Sequence, residues 1–200
     1  MLDVYVTEMP DADIGRPLLS ETRMKSVMEK KHPRSRKESY YVWRLLEYAI
    51  ERSLGISPAD VDFSVTEKGK WCAEGFCFSL SHSDGMLAVA VSDFDCGVDI
   101  EAVRESPFAT AIARKCFNAD EVKRLGELDG VERLEYFVDR WSAKEALFKM
   151  GGVIPDSRKE KYYVITHRLK MPDRVFYLAV AGNVSDVKLH RAENIFEEIR

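Results

Sequence analysis

Apolar and polar positions alternate at Leu2, Val4 and Val6, the two-residue period of a strand. Residues 20–31 read as a short polar helix. From Ser35 to Leu54 the period lengthens: Tyr41, Leu45 and Tyr48 form one stripe, widened by Val42, Leu46 and Ala49. Gly55 stands where a glycine ends a helix. Val61, Phe63 and Val65 alternate again, and 67–70 reads as a turn. Phe76–Leu80 and Met86–Ser92 read as the arms of a hairpin, joined by turn-forming residues from Ser81 to Gly85. Asp93–Asp95 turn the chain into a short strand, Gly97–Glu101.

Helical signals dominate next. Ser106 can cap a helix whose first residue is Pro107. Asn118 with Glu121 three residues on is close to a capping box. A helix from about Val131 to Met150 stops at Gly151-Gly152, and strands are expected near Tyr162–Thr166, Arg174–Ala181 and Val187–His190. The run Met86-Leu87-Ala88-Val89-Ala90-Val91 is echoed by Tyr177-Leu178-Ala179-Val180-Ala181, each late in its half of the chain, which suggests a duplicated α+β unit. No Pro/Gly/Ser-rich linker divides the halves. The expected architecture is therefore α+β, with two tightly packed halves, 1–102 and 103–200.

Composition changes this picture little. The chain has 200 residues, 46% hydrophobic and 32% charged, with net charge −4, which excludes disordered and collagen-like classes. The acidic balance argues against a nucleic-acid partner. The longest apolar run falls far short of the ~20 residues that cross a bilayer, so no membrane association is expected. Four cysteines and four histidines form no zinc spacing. With no signal-peptide pattern at the start, a reduced, cytoplasmic protein is expected. Fingerprints for dinucleotides, P-loops and nucleophile elbows are absent.

Four features can carry chemistry. Asp99 and Glu101, two apart on a strand, share a face at about 6.5–7 Å, a spacing that lets two carboxylates share a hard divalent ion such as Mg²⁺. Taken alone, the pair more simply faces water while Val98 and Ile100 face the core. On the helix Trp141–Met150, one face carries Ala143, Ala146, Leu147 and Met150, and the other Trp141, Lys144, Glu145, Phe148 and Lys149. That mixture suits a helix lining a cleft; it also suits a Glu145–Lys149 pair beside core aromatics. His82 gains interest only if Asp99 and Glu101 lie close. Finally, Lys30, Lys31, Arg34, Arg36 and Lys37 place five cations within eight residues, either an anion site or a solvated helix start. Cations at a helix N-terminus oppose its dipole, which something else, such as a bound phosphate, would offset.

The ordered set resembles one family. Gly97-Val98-Asp99-Ile100-Glu101 and Trp141-Ser142-Ala143-Lys144-Glu145-Ala146-Leu147-Phe148-Lys149 resemble the two signature motifs of the 4′-phosphopantetheinyl transferases. Ser79-Leu80-Ser81-His82-Ser83 resembles the family's Ser-His-Ser segment, Gly69-Lys70 its Gly-Lys-Pro turn with Trp71 in place of proline, and Phe117-Asn118-Ala119-Asp120-Glu121 the helix opening between the signatures. The likeness covers roughly 35–155 and is greatest to the larger, surfactin-synthetase-activating type, in which two α+β halves form an intramolecular pseudodimer.

The resemblance implies an enzyme with holo-carrier-protein synthase activity. It would move 4′-phosphopantetheine from coenzyme A to a serine of an apo acyl or peptidyl carrier protein of fatty-acid, polyketide or nonribosomal-peptide synthesis, releasing adenosine 3′,5′-bisphosphate. It implies Mg²⁺, or Mn²⁺, on Asp99, Glu101 and Glu145. It also implies Glu145 or Glu121 as base, Lys144 and Lys149 on the pyrophosphate, and His82, Ser81 and Lys70 on coenzyme A. Arg36 and Lys37 are the candidates for the 3′-phosphate, and the exposed part of 30–37 for carrier docking. A monomer is expected. The rival readings are a non-catalytic module binding coenzyme A or a carrier, and a metal-dependent phosphohydrolase or nuclease.

Overall fold

The computed structural model describes residues 1–67, 69–151, 163–182, 187–191 and 195–198. In chain order they form β1 (Leu2–Glu8), α1 (Glu21–Met28), α2 (Pro33–Leu54), β2 (Phe63–Val65), β3 (Trp71–Ala73), β4 (Cys77–Ser83), β5 (Met86–Ser92), β6 (Gly97–Ala102), α3 (Ala109–Cys116), α4 (Ala119–Gly126), α5 (Gly130–Gly151), β7 (Tyr163–Lys170), β8 (Val175–Gly182), β9 (Lys188–Arg191) and α6 (Ile195–Glu198). The class is mixed α+β, as expected, with three sheets among the described residues. Lys68 of the expected 67–70 turn, Gly152 at the expected end of the long helix and Tyr162 at the expected start of a strand lie outside them. None of the described helices is long and apolar enough to cross a membrane.

The first sheet has the order β4-β5-β1-β9, the second β6-β8-β7. Period-2 alternation sends one side of each strand to a different core. Tyr5, Phe78, Leu87, Val89 and Val91 pack with Trp43, Leu45, Leu46 and Ile50 of α2. Their neighbours Leu2, Val4, Val6, Ala88 and Ala90 meet Val98, Ile100, Phe176, Leu178 and Val180 of the second sheet. That sheet's far side, with Ala179 and Ala181, receives Ala146 and Met150 of α5. The result is four layers, helix–sheet–sheet–helix. Each fully buried Leu, Ile or Val contributes on the order of 1.5–3 kcal/mol.

The two sheets share an order of elements. A strand (β1, then β6), a 22-residue helix (α2, then α5) and an antiparallel hairpin (β4–β5, then β7–β8) follow in that order. In both sheets the first strand pairs antiparallel with the second arm of the hairpin. The echoed apolar runs are those second arms, β5 and β8. Although β6 falls within residues 1–102, it is hydrogen-bonded into the second sheet, and β9 returns to pair in parallel with β1.

Two local expectations change. The turn assigned to 81–85 shrinks to Asp84-Gly85, and Ser81, His82 and Ser83 remain in β4 opposite Ala88, Leu87 and Met86. Asp84 (φ 47°) and Gly85 (φ 85°) both take the left-handed conformation that a two-residue hairpin connection needs. The serines imitate a turn in composition, but their hydroxyls bond across to β6. Likewise, 106–108 form a turn ahead of α3: the Ser106 hydroxyl accepts from Phe108 N (3.3 Å) and its carbonyl from Ala109 N (3.1 Å). Asn118 and Glu121 do form the capping box.

Gly97 fixes how closely α5 approaches β6. A Cβ there would collide with the backbone carbonyl oxygen of Ala146, which cannot rotate away as a side chain can. We expect Gly97→Ala to force α5 off the sheet and to cost about 1–3 kcal/mol of stability, the usual range for overpacking, read by urea unfolding. A stability equal to wild type would show that the helix is not held at this distance.

Candidate active site

The site begins at the junction of two sheet edges. β4 and β6 do not share a backbone ladder. Instead the hydroxyls of Ser79, Ser81 and Ser83 accept from the N–H groups of Val98 (3.0 Å), Ile100 (3.2 Å) and Ala102 (3.2 Å). Because β6 alternates, those N–H groups point to β4 while Asp99 and Glu101, the residues between them, direct their side chains to the α5 side. Ser81 donates its proton to Asp99 Oδ1 (2.9 Å), and Ser83 donates to Glu101 Oε2 (2.8 Å).

α5 closes the other side. The Lys149 ammonium donates to Asp99 Oδ1 (2.8 Å) and Ser81 Oγ (2.9 Å). Asp99 is therefore not a solvent-facing carboxylate: its side chain is 5% exposed, against 28% for Lys149. Burial pushes the carboxyls of Glu101 and Glu145 above their ordinary range. The charge of Asp99 pushes both further; the Ser83 hydrogen bond offsets part at Glu101 and the Lys149 charge part at Glu145. Lys70, from the turn before β3, donates to the Lys149 backbone carbonyl (2.9 Å), tying that turn to the end of α5.

His82 lies on the opposite face of β4 from the serines. Its Nδ1 is 3.5 Å from Glu38 Oε2, and its side chain is 37% exposed. Burial lowers its pKa; Glu38 opposes this, while the charges of Lys149, Lys30 and Arg23 lower it further.

Other expected site residues are placed elsewhere or paired off. Lys144 is buried, with its ammonium 3.1 Å from Glu121 Oε2, so it does not share the open face assigned from helical spacing. The same Glu121 oxygen accepts from Asn118 N (2.9 Å). Lys37 pairs with Asp13 (3.0 Å), and Arg36 donates to the Lys30 carbonyl (2.9 Å). Arg34 pairs with Glu38 (3.1 Å) and Asp84 (2.7 Å). The cations that begin α2 are thus offset by carboxylates and a carbonyl of the chain itself. Sequence reasoning passed over Glu38 and Ser83. The alternation of Ser79, Ser81 and Ser83 along one strand face was the available signal for the latter.

Among the described residues no three His, Cys, Asp or Glu side chains stand close enough to enclose a metal ion. The donor chemistry still fits one. Asp99 Oδ2 is buried without a hydrogen-bond partner among those residues, and Glu101 and Glu145 both feel the repulsion of Asp99. All-oxygen donors suit a hard divalent cation.

Comparison with known proteins bears on the same residues. Residues 95–155 match the family model of the 4′-phosphopantetheinyl transferase superfamily. The chain is 32% identical over 111 residues to 4′-phosphopantetheinyl transferase Sfp of Bacillus subtilis, covering 54% of this chain and 49% of that protein. It is 32% identical over 111 residues to 4′-phosphopantetheinyl transferase psf-1 of Bacillus pumilus, covering 54% and 47%. A Synechocystis relative is 27% identical over 178 residues, 78% of this chain and 70% of the relative. The chain spans about half the length of the Bacillus relatives it matches. Asp99, Glu101, Glu121, Lys144, Glu145 and Lys149 all fall inside the segment that matches the 4′-phosphopantetheinyl transferase superfamily model.

Proposed function

We propose that this chain transfers 4′-phosphopantetheine from coenzyme A to a serine hydroxyl of an apo acyl or peptidyl carrier protein and releases adenosine 3′,5′-bisphosphate. The observation that carries this reading is the Asp99–Ser81–Lys149 cluster, with Glu101 beside it on β6 and Glu145 one turn before Lys149 on α5. The names of the Bacillus relatives support it.

The reaction joins a neutral hydroxyl to a phosphorus screened by negative oxygens. A magnesium ion, or manganese in its place, held by Asp99, Glu101 and Glu145 would neutralise the pyrophosphate and the leaving group. Glu145 takes the proton of the carrier serine, directly or through a water. Lys149, partly exposed beside Asp99, brings a positive charge to the pyrophosphate oxygens. His82 and Lys70 serve the phosphates of coenzyme A. Arg36 and Lys37 would reach the 3′-phosphate by exchanging their present partners for it. The Glu121–Lys144 pair holds α4 against α5, and we assign it to positioning, since one Glu121 oxygen already serves both the cap and Lys144.

We infer further that the two halves form a pseudodimer from a duplicated unit. The shared strand–helix–hairpin order and pairing pattern support this, with the repeat junction between β5 and β6, ahead of a division at residue 102.

Intact-mass measurement of an apo carrier after incubation with the protein, coenzyme A and Mg²⁺ tests the reading. The expected result is a gain of one phosphopantetheine, abolished by EDTA. No gain with several carrier types, while coenzyme A still binds, would replace it with a binding module. Glu145→Gln should lower the transfer rate about 100-fold or more, the scale of a lost general base or ligand, with coenzyme A affinity within a few-fold of wild type. A transfer rate like wild type would remove Glu145 from the chemistry.

A further inference from the structure

We propose that Ser83 is a positioning residue that fixes the carboxylate of Glu101, with Ser81 doing the same for Asp99, and that these clamps tune the site for a small divalent cation. The inference rests on the metal-dependent reading above.

Spacing along the chain carries the argument. Each serine accepts from the N–H nineteen residues later, at 3.0–3.2 Å. Accepting leaves the hydroxyl proton free, and the geometry points it at the side chain eighteen residues later. For Ser81 that side chain is Asp99 (2.9 Å), and for Ser83 it is Glu101 (2.8 Å). For Ser79 it would be Gly97, which has none. The same strand thus contains two clamps and a built-in control: Ser79 joins the strands but touches no carboxylate.

A clamped carboxylate has one oxygen committed. Ser83 holds Oε2 of Glu101, and Ser81 with Lys149 holds Oδ1 of Asp99, while Asp99 Oδ2 has no partner among the described residues. Each group can then offer a cation one free oxygen. Mg²⁺ accepts that arrangement, taking few single-oxygen carboxylate contacts; Ca²⁺ takes more ligands and readily engages both oxygens of one carboxylate. Partners that orient a ligand typically change metal affinity by about 10–100-fold when removed.

The test uses the full chain with coenzyme A. Binding of Mn²⁺ is followed by loss of the free-ion paramagnetic resonance signal, and Mg²⁺ and Ca²⁺ are ranked by displacement. Wild type should bind Mn²⁺, and Asp99→Asn should lose it. Ser83→Ala should weaken Mn²⁺ by about tenfold and raise the Ca²⁺ preference relative to Mg²⁺. Ser83→Thr, which keeps the hydroxyl, should restore both, and Ser79→Ala should leave both within about twofold of wild type. If Ser83→Ala behaves like Ser79→Ala, or Ser83→Thr like Ser83→Ala, the clamp is refuted while the metal reading stands. If wild type and Asp99→Asn take up Mn²⁺ equally, the metal reading fails and the clamp fails with it.

Discussion

The structure depends on how two sheet edges are joined without a shared backbone ladder. A strand edge presents unpaired N–H and C=O groups, and burying them unmet costs about 1–3 kcal/mol for each group. Here β6 meets β4 through three serine hydroxyls, which satisfy the N–H groups of Val98, Ile100 and Ala102. A hydroxyl can do what a carbonyl cannot: accept from the neighbouring backbone and donate onward. Fold and site are therefore made by the same atoms. The hydroxyls that seal the inter-sheet junction also hold Asp99 and Glu101.

Charge explains the rest of the site. Asp99, Glu101 and Glu145 are negative groups in a partly desolvated space, and two of them are pushed toward protonation. Lys149 relieves part of that repulsion, on a helix that reaches β6 only because Gly97 has no side chain. On the other face of β4, His82 lies beside the Glu38 carboxylate, and the charges of Lys149, Lys30 and Arg23 oppose its protonation.

Much of this was legible in the sequence. Period-2 alternation placed Asp99 and Glu101 on one face and Val98 and Ile100 on the other, and the long helices α2 and α5 emerged within two residues of their ends. What the alternation lacks is the identity of the opposing surface. It allowed Asp99 to face water, whereas α5 covers it, because the Gly97–Ala146 approach is a contact between distant segments. His82 fell into an apparent turn because serine, aspartate and glycine around it mimic one; the partners that keep Ser81 and Ser83 extended lie eighteen and nineteen residues away. Lys144 was read as open from helical spacing alone, and its partner Glu121 comes from a separate helix. Glu121's place in the cap, set by residues three apart, was visible.

Amide hydrogen exchange at Val98, Ile100 and Ala102 tests the junction most directly. Wild-type protein should protect all three; Ser79→Ala should speed exchange chiefly at Val98, and Ser83→Ala chiefly at Ala102. Equal exchange at those amides in wild type and both variants would contradict the account, because the hydroxyls would then not be what closes the edge of β6.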